Sequence, residues 1–134
     1  MSPCLEAALW NADQTDLTGM ERLQRFAENW VLLMTVPFGR CMVLLDEREL
    51  GEQWRLQVRK YKRGIDIRVR KMLTDGIADK SIAPLDVKFA AFFIMGALNS
   101  VGRWFKADGA DAPEAIAKHF VRYVSDFVGT GAAA

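Results

Sequence analysis

At 134 residues the chain is long enough to bury a hydrophobic core and short enough to be one domain. Hydrophobic residues make up 51% and charged residues 26%, the balance of a globular chain, and a net charge of +1 gives no overall field toward nucleic acid or a membrane surface. The longest apolar run is about ten residues, short of the ~20 that a bilayer span needs, and acids at Glu6 and Asp13 with no basic stretch argue against a signal peptide. No membrane partner is therefore expected, and the cytoplasm is the default location. Cys4 and Cys41 lack metal or redox spacing, so two buried or idle thiols are expected rather than a disulfide. A lone histidine, His119, cannot build a histidine metal site by itself.

Helical periodicity runs almost the length of the chain, and alternating stretches rich in β-branched residues are missing. An all-α bundle of five to six helices is expected. A short helix over about 3–12 opens at Ser2-Pro3, and Asp13-Gln14-Thr15-Asp16 is a turn. Thr18, with Glu21 three residues on, has the form of a capping box. A helix over about 19–35 follows, with Leu23, Phe26, Ala27, Trp30, Leu33 and Met34 on one stripe. Pro37 disfavours helical geometry at the residue before it, which ends that helix; a short helix then runs through Cys41, Met42 and Leu45. A long helix over about 47–78 places Leu50, Trp54, Val58, Tyr61, Ile65, Val69, Met72 and Leu73 on one buried face. Gly64 weakens it by about 1 kcal/mol relative to alanine, and Asp75-Gly76 is expected to loosen its last turn. After the break Ser81-Ile82-Ala83-Pro84 come helices over about 84–106 and 113–128, then a frayed tail over 129–134. With no repeat, low-complexity segment or linker, 1–134 reads as a single domain.

The run Phe89-Ala90-Ala91-Phe92-Phe93-Ile94-Met95-Gly96-Ala97-Leu98 is apolar on every side, and a helix of that kind must be covered on every side. So short a chain has few helices to do it. The simplest cover is a second copy of the last two helices, so a homodimer is expected. Gly96 and Gly102 allow close backbone approach, and Trp104 flanks them. On the last helix Ile116, Phe120, Val124 and Phe127 form a stripe with Val121 beside it.

No catalytic constellation is present: no phosphate loop, no Cys-x-x-Cys, no histidine pair and no nucleophile elbow. Asp46, Glu47 and Glu49 sit where they oppose the positive end of a helix dipole, a capping role rather than acid–base work. Ser100 and His119 lie on different helices and do not suggest a nucleophile and its base. The chain is expected not to be an enzyme and to hold no cofactor or metal. Nine basic residues lie between Arg48 and Lys71 against three acids, but they surround the apolar stripe instead of forming one ridge. A solvated face, partly paired to acidic neighbours, is expected in place of a nucleic-acid surface. Trp30, Met34, Phe38, Met42, Trp54, Tyr61, Phe92 and Met95 come from four helices with inward faces. Adaptable methionines and flat aromatics suit an irregular apolar cavity as well as a packed core. Asn99 and Arg103 lie four apart on one helix face. Either they satisfy each other and nearby carbonyls, or they grip the polar end of a ligand.

The order Gly76-Ile-Ala-Asp-Lys-Ser-Ile, Pro84, Phe93-Ile-Met-Gly96-Ala-Leu-Asn99, Arg103-Trp104-Phe105-Lys106-Ala-Asp-Gly109 and Pro113-Glu114-Ala-Ile-Ala resembles the C-terminal domain of TetR-family transcriptional regulators over about 20–129. The subgroup it resembles responds to acyl-CoA or steroid-degradation intermediates. The resemblance implies an all-α homodimer whose last two helices pair across the axis as a four-helix bundle. It also implies a ligand-binding domain controlled by a small apolar effector of acyl-CoA, steroid-like or aromatic kind. In the family an N-terminal helix-turn-helix domain of roughly 50 residues binds operator DNA. Here the predicted helix over 3–12 corresponds to the connector that follows that domain, residues 1–18 being connector and turn. This chain alone is therefore expected not to bind DNA, which falls to a full-length parent. Ala83 and Ala112 precede Pro84 and Pro113 where relatives place Asp or Ser, so those helix starts are expected to be poorly capped. The reading that follows is an effector-binding and dimerisation domain. A ligand-free dimerisation module is the alternative.

Overall fold

The computed structural model describes residues 16–129, which form five α-helices with no strand among them. These are α1 (Gly19–Met34), α2 (Pro37–Leu44), α3 (Glu52–Asp79), α4 (Val87–Trp104) and α5 (Pro113–Gly129). The predicted helix over 3–12, Cys4 and the tail beyond Gly129 lie outside the described residues; Cys41 is a free, exposed thiol.

Helix α1 touches each of the other four. Its stripe of Leu23, Phe26, Ala27, Trp30, Leu33 and Met34 is buried, together with Val31. Removing a large apolar side chain of this kind from water contributes roughly 1.5–3 kcal/mol. A helix leaves its first four N–H groups without intrahelical partners, and here all four are satisfied. Thr18 N donates to Glu21 Oε1 (3.1 Å) and Glu21 N to Thr18 Oγ1 (3.1 Å), the reciprocal capping box. Gly19 N donates to Asp79 Oδ2 (2.9 Å) and Met20 N to Ser81 Oγ (3.0 Å). Those last two acceptors stand at the far end of α3. Arg22 strengthens the junction through its Nη2 on Asp75 Oδ2 (3.0 Å), which Lys71 Nζ also contacts (2.7 Å). Backbones meet there as well: a Cβ added to Gly19 would fall on Gly76 and the Met72 carbonyl. Gly76 does not loosen the end of α3 as the sequence suggests. The helix continues to Asp79, and the glycine is the bare surface on which α1 rests.

The long helix departs from expectation in two ways. It begins at Glu52, because Asp46 caps a separate 3₁₀ turn over Glu47–Glu49 by accepting from Arg48 N (3.0 Å). And only its C-terminal half is in the core. Ile65, Val69, Met72 and Leu73 are buried, while Trp54 is 62% exposed and Leu50 and Val58 are only partly covered. The spacing puts these residues on one face, but burial also needs an element opposite. At 1.5 Å per residue, 28 residues span about 42 Å and the 16 of α1 about 24 Å, so α3 outruns its cover.

Helix α4 starts three residues later than expected. Asp86 caps it, accepting from Phe89 N (3.0 Å), so the helix is well capped after all. Ile82 N on Gly76 O (3.0 Å) and Ala83 N on Val128 O (2.9 Å) keep the preceding segment irregular.

Two glycines should respond in opposite directions. Gly19→Ala forces a methyl into backbone and should destabilise by about 1–3 kcal/mol. Gly64→Ala, where an added Cβ meets nothing within 4 Å, should stabilise by up to about 1 kcal/mol. Urea unfolding of both variants checks this. Acid should act at the same junction. Hydrogen bonds from Ser81 and Gly19 hold Asp79 below the usual carboxylate range, and Lys71, then Arg22, do so for Asp75. A depressed carboxylate pKa contributes stability above the ordinary range that is lost as pH falls through the folded value. Unfolding free energy should decline as pH drops below the ordinary carboxylate range, and Asp75→Asn should flatten that decline.

Candidate ligand-binding site

Four helices leave a cavity of about 310 Å³ between them. Helix α1 supplies Trp30, Leu33 and Met34; α2 supplies Phe38, Gly39, Met42 and Val43. Helix α3 adds Tyr61, Lys62, Ile65 and Asp66, and α4 adds Met95, Asn99 and Arg103. Two close approaches fix the walls. A Cβ on Gly39 would strike the Leu33 carbonyl, so α2 folds back hard against the end of α1. Gly102 lets α4 come in beside Met34 Sδ and Val43, where a Cβ would lie at 3.3 and 3.5 Å. The volume is at the small end of the 300–1,000 Å³ typical of ligand sites, and the lining is mostly apolar with a few polar groups.

Those polar groups have distinct surroundings. Trp30 Nε1 donates to Asn99 Oδ1 (2.8 Å). Lys62 Nζ pairs with Glu47 Oε1 (2.8 Å), and this pairing, more than that of Arg59, holds Glu47 below the usual carboxylate range. Asp66 Oδ2 pairs with Arg70 Nε (2.9 Å). Arg103 is exposed and has no ion pair or hydrogen bond among the described residues. Asn99 and Arg103 therefore do not satisfy each other.

Of the residues that the sequence suggests for a ligand site, Trp30, Met34, Phe38, Met42, Tyr61, Met95, Asn99 and Arg103 surround this cavity. Trp54 and Phe92 do not. Trp54 stands on the uncovered half of α3, and Phe92 faces outward beneath the Arg70 guanidinium, 5.5 Å from its ring centroid. Leu33, Gly39, Val43, Lys62, Ile65 and Asp66 also line it. Lys62 and Asp66 were legible as a pair one turn apart, each following a residue of the apolar stripe; their charge hid them.

The residues suggested for a dimer interface divide. Ile116 and Val124 are buried within the single chain, α5 packing chiefly on α1, and Gly102 is spent inside against α1 and α2. Val121 is partly buried against the same core. These are core residues, because a 17-residue helix must dock its own stripe before it can offer another. Left outward are Phe89, Phe93, Gly96 and Trp104 of α4 with Phe127 and Tyr123 of α5. The two helices' aromatics meet: Phe93 and Phe127 centroids are 4.6 Å apart, and the half-buried Phe120 stacks with Trp104 at 6.2 Å.

Other chemistry is accounted for. Ser100 Oγ donates to Ala97 O (2.6 Å) and accepts from Trp104 Nε1 (3.3 Å), while His119 is exposed and stacks on Tyr123. Among the described residues no group of three or more His, Cys, Asp or Glu could hold a metal ion. Among the described residues, Arg48, Arg59, Lys62, Arg70 and Lys71 of this basic run are ion-paired, to Asp46, Glu47, Asp66 and Asp75.

The family model described as the tetracyclin repressor-like, C-terminal domain matches residues 16–128. The chain belongs to this family. Tetracyclin repressor-like C-terminal domains are regulatory and not enzymatic. The fold is similar to a crystal structure of a bacterial regulatory protein of the TetR family from Rhodococcus RHA1. That match has a TM-score of 0.80 at 21% identity and covers 94% of this chain and 67% of the other. It is also similar to AibR, solved in complex with isovaleryl coenzyme A and operator DNA, with a TM-score of 0.75 at 23% identity. There the match covers 89% of this chain and 65% of the other. The chain thus spans about two thirds of each of these proteins. No curated protein matches it at a significant level.

The Trp30–Asn99 bond joins the central helix to α4 at the cavity wall. Asn99→Leu leaves the indole N–H without an acceptor and should lower stability by about 1–3 kcal/mol, read by urea unfolding.

Proposed function

We propose that this chain is the effector-binding and dimerisation domain of a transcriptional regulator and senses a small apolar ligand. The cavity between α1 and α4 carries the reading. It is an open-mouthed space framed by four helices, lined by methionine and aromatic side chains, and polar only at a few points, as a small-molecule site is. A domain that served only to dimerise has no use for such a space. AibR, similar in fold, is described with a coenzyme A thioester and operator DNA, which supports an apolar acyl group as one ligand to try. Aromatic and steroid-like molecules are others.

The outward aromatic face supports the second half of the reading. Contiguous exposed apolar surface marks an interaction site, and Phe89, Phe93, Trp104, Tyr123 and Phe127 supply it. A second copy of α4 and α5 covers it, giving a homodimer. No helix among the described residues is long and apolar enough to cross a membrane, and we place the protein in the cytoplasm. Operator DNA accompanies AibR, and DNA contact in this regulator is assigned to a reading head outside these five helices. The basic residues of α3 give this chain at most salt-sensitive association.

Sedimentation at micromolar concentration should give twice the 15.1 kDa chain mass, and Phe93→Asp should yield a folded monomer. A wild-type monomer would remove the interface. Thermal-shift screening of acyl-CoA thioesters, steroids and aromatic acids should find a stabilising molecule, since a ligand at 100 times its Kd adds about 2.7 kcal/mol.

A further inference from the structure

The cavity has three charged side chains in its lining, Lys62, Asp66 and Arg103. Two are already matched: Lys62 by Glu47 at 2.8 Å and Asp66 by Arg70 at 2.9 Å. Arg103 has no such partner among the described residues. Nor is it needed to finish the helix it ends. Arg40 Nε donates to Gly102 O (3.3 Å), and Phe105 N closes on Val101 O (2.9 Å). One turn earlier, Asn99 has its amide orientation set by chemistry. An indole N–H can only donate, so the atom it meets at 2.8 Å is the amide oxygen. The amide nitrogen, with two hydrogens to give, has no acceptor among the described residues. Residues four apart on a helix are neighbours on one face, roughly 5–6 Å between Cβ atoms. Among the described residues the lining therefore presents one unmatched cation and two unmatched donors on neighbouring positions of one helix, in a cavity whose apolar lining includes Met34, Ile65 and Met95.

We infer that the cavity takes a small apolar molecule ending in an oxyanion, which sits between the Arg103 guanidinium and the Asn99 amide nitrogen. This rests on the effector-binding reading and narrows it. A cationic ligand would meet Arg103 uncompensated and find Asp66 engaged by Arg70. A neutral ligand would leave the guanidinium unused. At about 310 Å³ the space holds a short acyl chain or a single ring system, with its charged end at the exposed arginine. The oxyanion has two sources to separate: the carboxylate of a free acid, or a phosphate of a carrier joined to the acyl group through an arm long enough to reach Arg103 at the mouth.

Isothermal titration of the full chain distinguishes these. The probes are phenylacetate and octanoate, their uncharged amides, and the coenzyme A thioesters of the same two acids. Anionic probes, acids or thioesters, should bind about tenfold more tightly than the amides, as a charge-assisted hydrogen bond requires, and the margin should shrink as salt rises. The tighter of the two anionic series names the source. Arg103→Gln should cost the anions about tenfold while leaving amide binding and the melting temperature of the free protein unchanged; Arg103→Lys should restore part of the loss. Asn99→Asp keeps an acceptor for Trp30 but opposes an anion, so it should suppress anion binding and spare the amides. Amides that bind as tightly as the anions, or an Arg103→Gln variant that binds anions like the wild type, would overturn the inference and leave the cavity reading standing. If no member of the three series binds, the inference falls, and the cavity reading falls with it only when the steroid and aromatic screen is also blank.

Discussion

Where α1 crosses the end of α3, Gly19 lies directly on the backbone of Met72 and Gly76 with no side chain between. Everything else is arranged around this crossing. It lets the helix backbones approach closely enough for Asp79 and Ser81 to reach the first N–H groups of α1, and for Arg22 to reach Asp75. One end of α1 is thereby anchored, which fixes the direction in which its buried stripe points. The stripe in turn seats α5 on one side and α3 and α4 on others. At the opposite end the same helix becomes a wall of the cavity through Trp30, Leu33 and Met34.

That arrangement gives each helix a different task. Helix α5 spends Ile116 and Val124 on α1 and turns its remaining aromatics outward. Helix α4 has three duties: Ile94, Leu98 and Val101 in the core, Met95 and Asn99 on the cavity, and Phe89, Phe93 and Trp104 outside. Its apolar sequence serves the core and the cavity wall on two sides and leaves Phe89, Phe93 and Trp104 exposed on a third.

Local chemistry made much of this legible in the sequence. Thr18 and Glu21 cap α1 within three residues of each other, Pro37 breaks the chain by its own geometry, and the α1 stripe is a matter of periodicity. The cavity was partly legible for the same reason, since methionines and aromatics on four inward faces converge. What the sequence could not show depended on partners distant along the chain. Gly76 looks like a helix breaker until Gly19 is set upon it. Trp54 shares a face with Ile65, and only the shortness of α1 leaves it uncovered. Ile116 and Val124 look like interface until α1 claims them, and Asp86 is a cap only once Pro84 has failed to start the helix. Periodicity assigns a residue to a face; what lies opposite that face is a property of the fold.

Helix α3 is continuous as geometry but not as thermodynamics. From Ile65 onward the helix carries core residues; from Glu52 to Arg63, among the described residues, Tyr61 alone packs against that core, and the residue at the boundary is Gly64, which adds no helix propensity of its own. Opening of the free half therefore need not disturb the packed half, and amide hydrogen exchange along α3 should rise in a step, not a gradient. The cavity touches both sides of that step, with Tyr61 and Lys62 before it and Ile65 and Asp66 after. A molecule held there would touch both halves at once, and would slow exchange in the free half only by tying it to the packed one.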